Sequence, residues 1–207
     1  MASAERITGV SCVLVSASRV VLEVQKPGKW HRDDDGRLII GLGCIGGSLE
    51  EGEAALTALQ REAQEEIGCR LQLRSASSTT EVSPEGRAHR RHWSSEAPRP
   101  ILIWSMPSSA PDTKVAVYLG RPEGSPKPCD LPAIVSMSAD LMLRIGSERL
   151  SVEAVTSGGA ILQQREPIPP DALLELVGTP LILHRLRSTY RGLAERVLAE
   201  ADALPEN

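Results

Sequence analysis

The stretch 41–69, GLGCIGGSLEEGEAALTALQREAQEEIGC, joins a glycine-rich turn to a run of strong helix formers crowded with glutamates. No other part of the chain limits the fold as much. Residues 53–67 contain no proline, and Gly68 stands where a C-terminal cap is expected, so the run reads as a helix. At about 100° per residue, Leu56, Leu59, Ala63 and Ile67 share one stripe, and Glu62, Glu65 and Glu66 gather on the adjacent arc. Like charges at this spacing repel one another by a few tenths of a kcal/mol. Arg61 can pair with Glu65, but one cation cannot balance three anions. The remainder suits a hard divalent cation, which takes a few carboxylates together with water and phosphate oxygens.

Glu-rich helices are commonly solvated faces, so the spacing has to carry the argument. Gly47, five residues, Glu53, seven residues, then Arg61, Glu62, Glu65, Glu66 and Gly68 resembles the signature box of the Nudix hydrolases. Every glycine, glutamate and arginine of that box is in place. Ala63 and Cys69 stand where the family has larger aliphatic residues, and the preceding turn reads GCIGG where Leu-Pro-Gly-Gly is commoner. These departures alter packing and remove no ligand. The box covers 47–69, and the strand pattern extends a weaker resemblance over about 8–145.

The resemblance implies an α/β/α sandwich with a mixed sheet, and hydrolysis of a phosphoanhydride with Mg²⁺ or Mn²⁺. Glu62, Glu65 and Glu66 would be the metal-binding carboxylates, with the Gly46 carbonyl as a further ligand. Glu62 and Glu66 are the residues expected to be catalytic, Glu62 also as a candidate base. Gly47, Glu53, Arg61 and Gly68 would support the loop-to-helix geometry. Some members place the base outside the box, which makes Glu123 and Asp130 candidates here. A phosphoanhydride resists water because its anionic oxygens repel a nucleophile, so cations and a base are what such a reaction needs. The glycine turn allows close backbone approach, and the helix N-terminus favours anions.

The substrate implied is a nucleoside diphosphate linked to another group. Pro84, fifteen residues beyond Cys69, resembles a marker of ADP-ribose and nucleotide-sugar pyrophosphatases and leans the reading that way. Trp30, Arg87, Arg90 and Arg91 are able to stack on a base or bind phosphate, but packing and solvation explain them as well. Two other functions fit the same fold. A non-catalytic nucleotide-sensing module would tend to lose box glutamates or carry a basic DNA-binding extension. An isoprenoid-diphosphate isomerase would need acid/base Cys and Glu in the pocket, for which Cys44 is the candidate.

Composition sets the outer bounds. With 207 residues, 41% hydrophobic and 24% charged, the chain is long enough for one well-buried core. Residues 1–145 read as the catalytic domain and 146–207 as a C-terminal extension packed on it. The net charge of −4 and the near absence of aromatics, with no Phe, argue against nucleic acid or an anionic membrane as partner. The N-terminus lacks a signal-peptide pattern and no apolar run is long enough to span a bilayer, so a cytoplasmic location is expected. Cys12, Cys44, Cys69 and Cys129 are too dispersed for a zinc site or a disulfide framework. His89 and His92 sit among arginines that would oppose a cation.

Along the chain, 9–15 and 20–24 read as a hairpin, 25–37 as a loop, 38–40 as a short strand and 70–73 as a strand. Residues 75–100 read as a long hairpin or loop outside the core. Strands are expected at 101–106, 114–119 and 132–137, and a helix at 138–145. Beyond these, 150–155 and 160–164 suggest a second hairpin across Ser157, Gly158 and Gly159, and 171–177 a short helix closed by Gly178. Leu183, Leu186, Tyr190, Leu193, Val197 and Ala201 mark a long helix that packs on the domain, with a possible share in a homodimer.

Overall fold

The computed structural model describes residues 7–93, 97–105 and 113–190, together with 192, 195, 197 and 199. Its centre is a parallel pair, β1 (Ile7–Ser16) and β10 (Lys114–Pro122), paired from Ile7 opposite Lys114, across a one-residue irregularity before Gly9, to Leu14 opposite Gly120. Parallel strands must be covered on both faces, and both of these read as nearly unbroken apolar runs. Along β1, Val10, Cys12 and Leu14 enter one core and Val13 and Val15 the other.

The expected first hairpin is present. Ala17 and Ser18, at φ of 48° and 57°, make the tight turn between β1 and β2 (Arg19–Val24). On the far side of β2 lies β11 (Ala133–Met137), and β9 (Leu102–Ser105) flanks β10. β4 (Leu38–Gly43) pairs with the two-residue β3 (His31–Arg32) and with the end of β2, β5 (Ile45–Ser48) returns antiparallel along β1, and β6 (Leu71–Arg74) pairs with the far end of β10. The glutamate-rich helix α1 (Ala55–Ile67) covers one face of this mixed sheet. The other face is covered by α2 (Ala139–Ser147), α3 (Val152–Ser157) and α4 (Gly178–Thr189). The result is the three-layer α/β/α arrangement that the box implied. No described helix is long and apolar enough to cross a membrane.

Three local readings are corrected. Residues 75–100 do hold a hairpin, β7 (Thr79–Val82) with β8 (Ala88–Arg91), but β7 is buried along its whole length between β8 and β9. Its polar side chains are bonded rather than solvated: Thr79 Oγ1 donates to the Pro100 carbonyl at 2.7 Å, and Glu81 meets Arg91 and Lys114. The hairpin expected across 157–159 is α3 followed by β12 (Ile161–Gln164), which joins β11. Ser151 caps α3 by accepting from Ala154 N at 3.1 Å, and Glu153 sits in its first turn, signals that outweigh the two β-branched valines. The helix expected at 171–177 is β13 (Leu173–Leu176), parallel to β4. The pairing surface of β4 overrides the helical preference of its leucines, and Gly178 opens α4 instead of closing a helix.

β12 and β13 therefore extend the sheet formed by the first 145 residues. Leu183, Leu186 and Val197 are buried in the same core, and Tyr190 packs against it, while Leu193 and Ala201 lie outside the described residues. α4 rests mainly on α2 and β4.

Candidate active site

Gly68 ends α1 at φ 67°, the left-handed cap that glycine takes without strain. The last-turn carbonyls are then capped by a neighbouring loop: Lys127, Cys129 and Asp130 donate their N–H groups to Ile67, Glu66 and Glu65 at 3.1, 2.9 and 3.1 Å. At the other end Glu53 accepts from Glu50 N at 3.0 Å and takes a two-pronged hydrogen bond from Arg61, at 3.0 and 3.1 Å. These bonds from Arg61 and Glu50 hold the Glu53 carboxyl below its usual range. The same guanidinium reaches Glu62 at 2.9 Å, Glu65 at 3.3 Å and the Ser48 carbonyl at 3.2 Å. Arg61 thus ties the turn to the helix and also neutralises part of the glutamate arc.

The three box carboxylates lie in different environments. Glu65 is half exposed, Glu62 is mostly covered, and Glu66 is buried at 7% exposure with Oε2 accepting from Gly46 N at 3.1 Å. It is the N–H of Gly46, and not its carbonyl, that this contact uses. A Cβ at Gly47 would overlap the Glu62 carboxylate, so the box glycine is the space that the glutamate occupies. Gly46, at φ 148°, passes so close to Val10 and Ser11 that any side chain would collide with backbone.

A fourth carboxylate joins them. Glu23 projects from β2 on the face shared with Val21, into room left by Gly43, and hydrogen-bonds with Glu66. Both acids are pushed upward. Burial is the main cause for Glu66, followed by the negative charge of Glu23 and then, after the opposing Gly46 hydrogen bond, of Glu62; burial is also the main cause for Glu23. The sequence held a signal for it, one acid in an otherwise apolar strand, that box spacing could not register.

Nearby, Lys26 pairs with Asp130 and feels Glu66 and Glu62. That ammonium holds Asp130 below the usual carboxylate range, which makes it a weak proton acceptor. Glu123 donates its backbone N–H to Arg70 at 2.8 Å and acts electrostatically on Cys69, beyond the C-terminal end of α1. Cys44 is buried, and burial, then Glu23, pushes its thiol up to about 12. It is not the reactive thiol that an isomerase would need.

Among the described residues, no three His, Cys, Asp or Glu side chains are already drawn together as a closed metal site. The donors nevertheless fit a hard divalent cation in kind. They are all oxygen, and burial first, with the negative charge of Glu62 beside it, drives Glu66 and Glu23 toward the protonated state. Two cavities, of about 350 and 380 Å³, lie elsewhere: one by Pro84, Trp104, Ile182 and Arg185, the other by Arg90, Arg91, Trp93 and Arg99, and no box glutamate lines either.

Comparison with known proteins gives a consistent assignment. The NUDIX domain family matches residues 5–139. A comparison with curated proteins finds no match. Among solved structures, a NUDIX-family hydrolase from Clostridium perfringens is 15% identical, covering 73% of this chain and 93% of that one at a TM-score of 0.43. A nudix hydrolase family member from Chromobacterium violaceum is 17% identical over 95% and 96% of the two chains at 0.40. An ADP-ribose pyrophosphatase from Streptococcus suis is 13% identical over 64% and 73% at 0.37. The family match spans well over half of the chain and contains the intact glutamate box, so the chain belongs to the NUDIX family, as a Nudix-type hydrolase acting on phosphoanhydride bonds.

Proposed function

We propose that the chain is a Mg²⁺-dependent pyrophosphohydrolase that cleaves a nucleoside diphosphate linked to a second group, of the ADP-ribose or nucleotide-sugar type. The observation that carries this reading is the gathering of Glu62, Glu66 and Glu23 on one side of the sheet, beside Glu65, with Arg61 as the box's own counter-charge. Glu62, Glu65 and Glu66 would hold the cation, with the Gly46 carbonyl as a further ligand. A divalent cation at such a site supplies charge neutralisation for the phosphate oxygens. The chain's own residues do the rest. Arg61 fixes Glu62 in the space left by Gly47, which supports Glu62 as the group that would accept a proton from an attacking water. Gly46 N holds Glu66 in one orientation. The linked nucleoside diphosphate follows from the family resemblance, and the lean toward ADP-ribose or a nucleotide sugar rests on Pro84, which lies in the turn between β7 and β8. The test is release of phosphate-containing products from a panel of nucleoside diphosphate derivatives with and without Mg²⁺. Mg²⁺-dependent turnover of ADP-ribose or a nucleotide sugar is the expected result; tight binding without turnover on every member would overturn it.

A further inference from the structure

By the alternation of β1, Ser11 faces the same apolar core as Val13 and Val15, on the side of the sheet away from α1. A buried hydroxyl is costly there unless it is bonded, and Ser11 is bonded on both sides. Thr179, at 3% exposure near the start of α4, donates from Oγ1 to Ser11 Oγ at 3.1 Å and accepts from Trp104 Nε1, also at 3.1 Å. Ser11 in turn hydrogen-bonds with the Cys44 thiol. All four side chains are buried, so a continuous hydrogen-bonded chain runs from β9 through α4 and β1 to the glycine-rich turn. A threonine near a helix start commonly serves the helix's own backbone. Thr179 instead joins residues 75 and 168 positions away in sequence.

The far end of this chain lies where the carboxylates are held. Cys44 follows Gly43, which leaves room for Glu23, and precedes the short run to Gly46. Ser11 is directly opposite Gly46 across the β1–β5 pair, and a Cβ on Gly46 would come within 2.8 Å of the Ser11 Cα. The two backbones are therefore in close contact, and at that packing Ser11 does not shift without moving Gly46. Gly46 N is the donor that holds the Glu66 carboxylate, at 3.1 Å.

We propose that Thr179 is a positioning residue of the hydrolytic site: its hydroxyl fixes Ser11, Ser11 fixes the turn at Gly46, and the turn holds Glu66 in the orientation in which it meets the cation. The assignment rests on the reading of Glu66 as a metal-holding carboxylate. It makes α4, beyond the residues 5–139 that match the family, part of what shapes the box. Coupling of this kind needs a contiguous set of packed and bonded groups, and every link here is a buried contact.

The experiment compares wild type with Thr179→Val, which keeps the shape and removes the hydroxyl, and Thr179→Ser, which keeps the hydroxyl. Leu183→Ala, in the same helix but outside the hydrogen-bonded chain, controls for loss of stability alone. The first readout is hydrogen exchange of the Gly46 amide, measured by NMR on the full metal-free chain and taken relative to the amides of β10. Thr179→Val should speed Gly46 exchange on this scale by about tenfold, Thr179→Ser by no more than about twofold, and Leu183→Ala should leave the ratio unchanged. Ser11→Ala should reproduce the Thr179→Val effect, and the double variant should add nothing to it. The second readout is turnover. The Mg²⁺ needed for half-maximal rate should rise about tenfold in Thr179→Val with the substrate KM at saturating Mg²⁺ unchanged, and Thr179→Ser should restore the wild-type requirement. A wild-type Gly46 ratio in Thr179→Val overturns the proposal, as does an unchanged Mg²⁺ requirement. Should Thr179→Val fail to fold, a wild-type Gly46 ratio in Ser11→Ala overturns it in the same way. A wild type without Mg²⁺-dependent turnover contradicts the hydrolase reading instead, and the exchange ratio still decides whether Thr179 holds the turn.

Discussion

Single atoms decide most of what the glutamate site can do. Glu66 is buried beside Glu23 with its carboxyl pushed above the usual value of 4.5, so the metal-free folded chain retains a proton that the unfolded chain releases near that value. The sign follows: as pH rises from about 4.5 toward the folded value, the unfolded state loses protons first, and this group's contribution turns against folding. Glu66→Gln removes that burden while conserving volume. It should raise metal-free stability at neutral pH by on the order of 1 kcal/mol in thermal or urea melts, flatten the pH dependence above 4.5, and abolish turnover. Gly47→Ala attacks the same site from the other side. Its methyl group would overlap the Glu62 carboxylate, so turnover should fall by at least tenfold while the circular dichroism spectrum is kept. Arg61→Ala differs again, because Arg61 serves Glu53, Glu62, Glu65 and the Ser48 carbonyl. It should cost about 1–3 kcal/mol as well as activity, both read from one purified variant.

Among elements, α1 was legible because its signals are local: strong helix formers, a cap glycine at φ 67°, and a charge pattern with fixed spacing. The hairpin of β1 and β2 and the helix capped by Ser138 were legible for the same reason. β13 was not, since what makes its leucines a strand is β4, more than a hundred residues earlier in the chain. Glu23 was missed on similar grounds: its meaning comes from Gly43 and Glu66, which only the folded sheet brings to it. α4 carries its own prediction. Leu183, Leu186 and Val197 are at most 2% exposed, and burying three such side chains contributes about 5 kcal/mol. Truncation after Gly178 should therefore abolish cooperative melting or solubility; a soluble, cooperatively melting and active product would show that α4 and the chain beyond it are dispensable.

At the scale of the whole molecule, two layers of helices clamp a mixed sheet, and partly desolvated acids collect on the α1 side with one box arginine and two nearby lysines, Lys26 and Lys29, to balance them. On the proposed reading a cation arriving from solution relieves this imbalance, so folding, metal and pH should be linked. Mg²⁺ is expected to raise the melting temperature by mass action, more at pH 8 than at pH 5, where protons already occupy the acids. The central claim is that these carboxylates are the seat of metal-dependent hydrolysis. It is tested most directly by turnover of a nucleoside diphosphate derivative, measured over a Mg²⁺ titration for wild type and Glu66→Gln side by side. Saturable Mg²⁺-dependent turnover in wild type and none in a folded Glu66→Gln is what the proposed function predicts; near-native turnover in Glu66→Gln, or wild-type turnover indifferent to chelation of divalent metal, would contradict it.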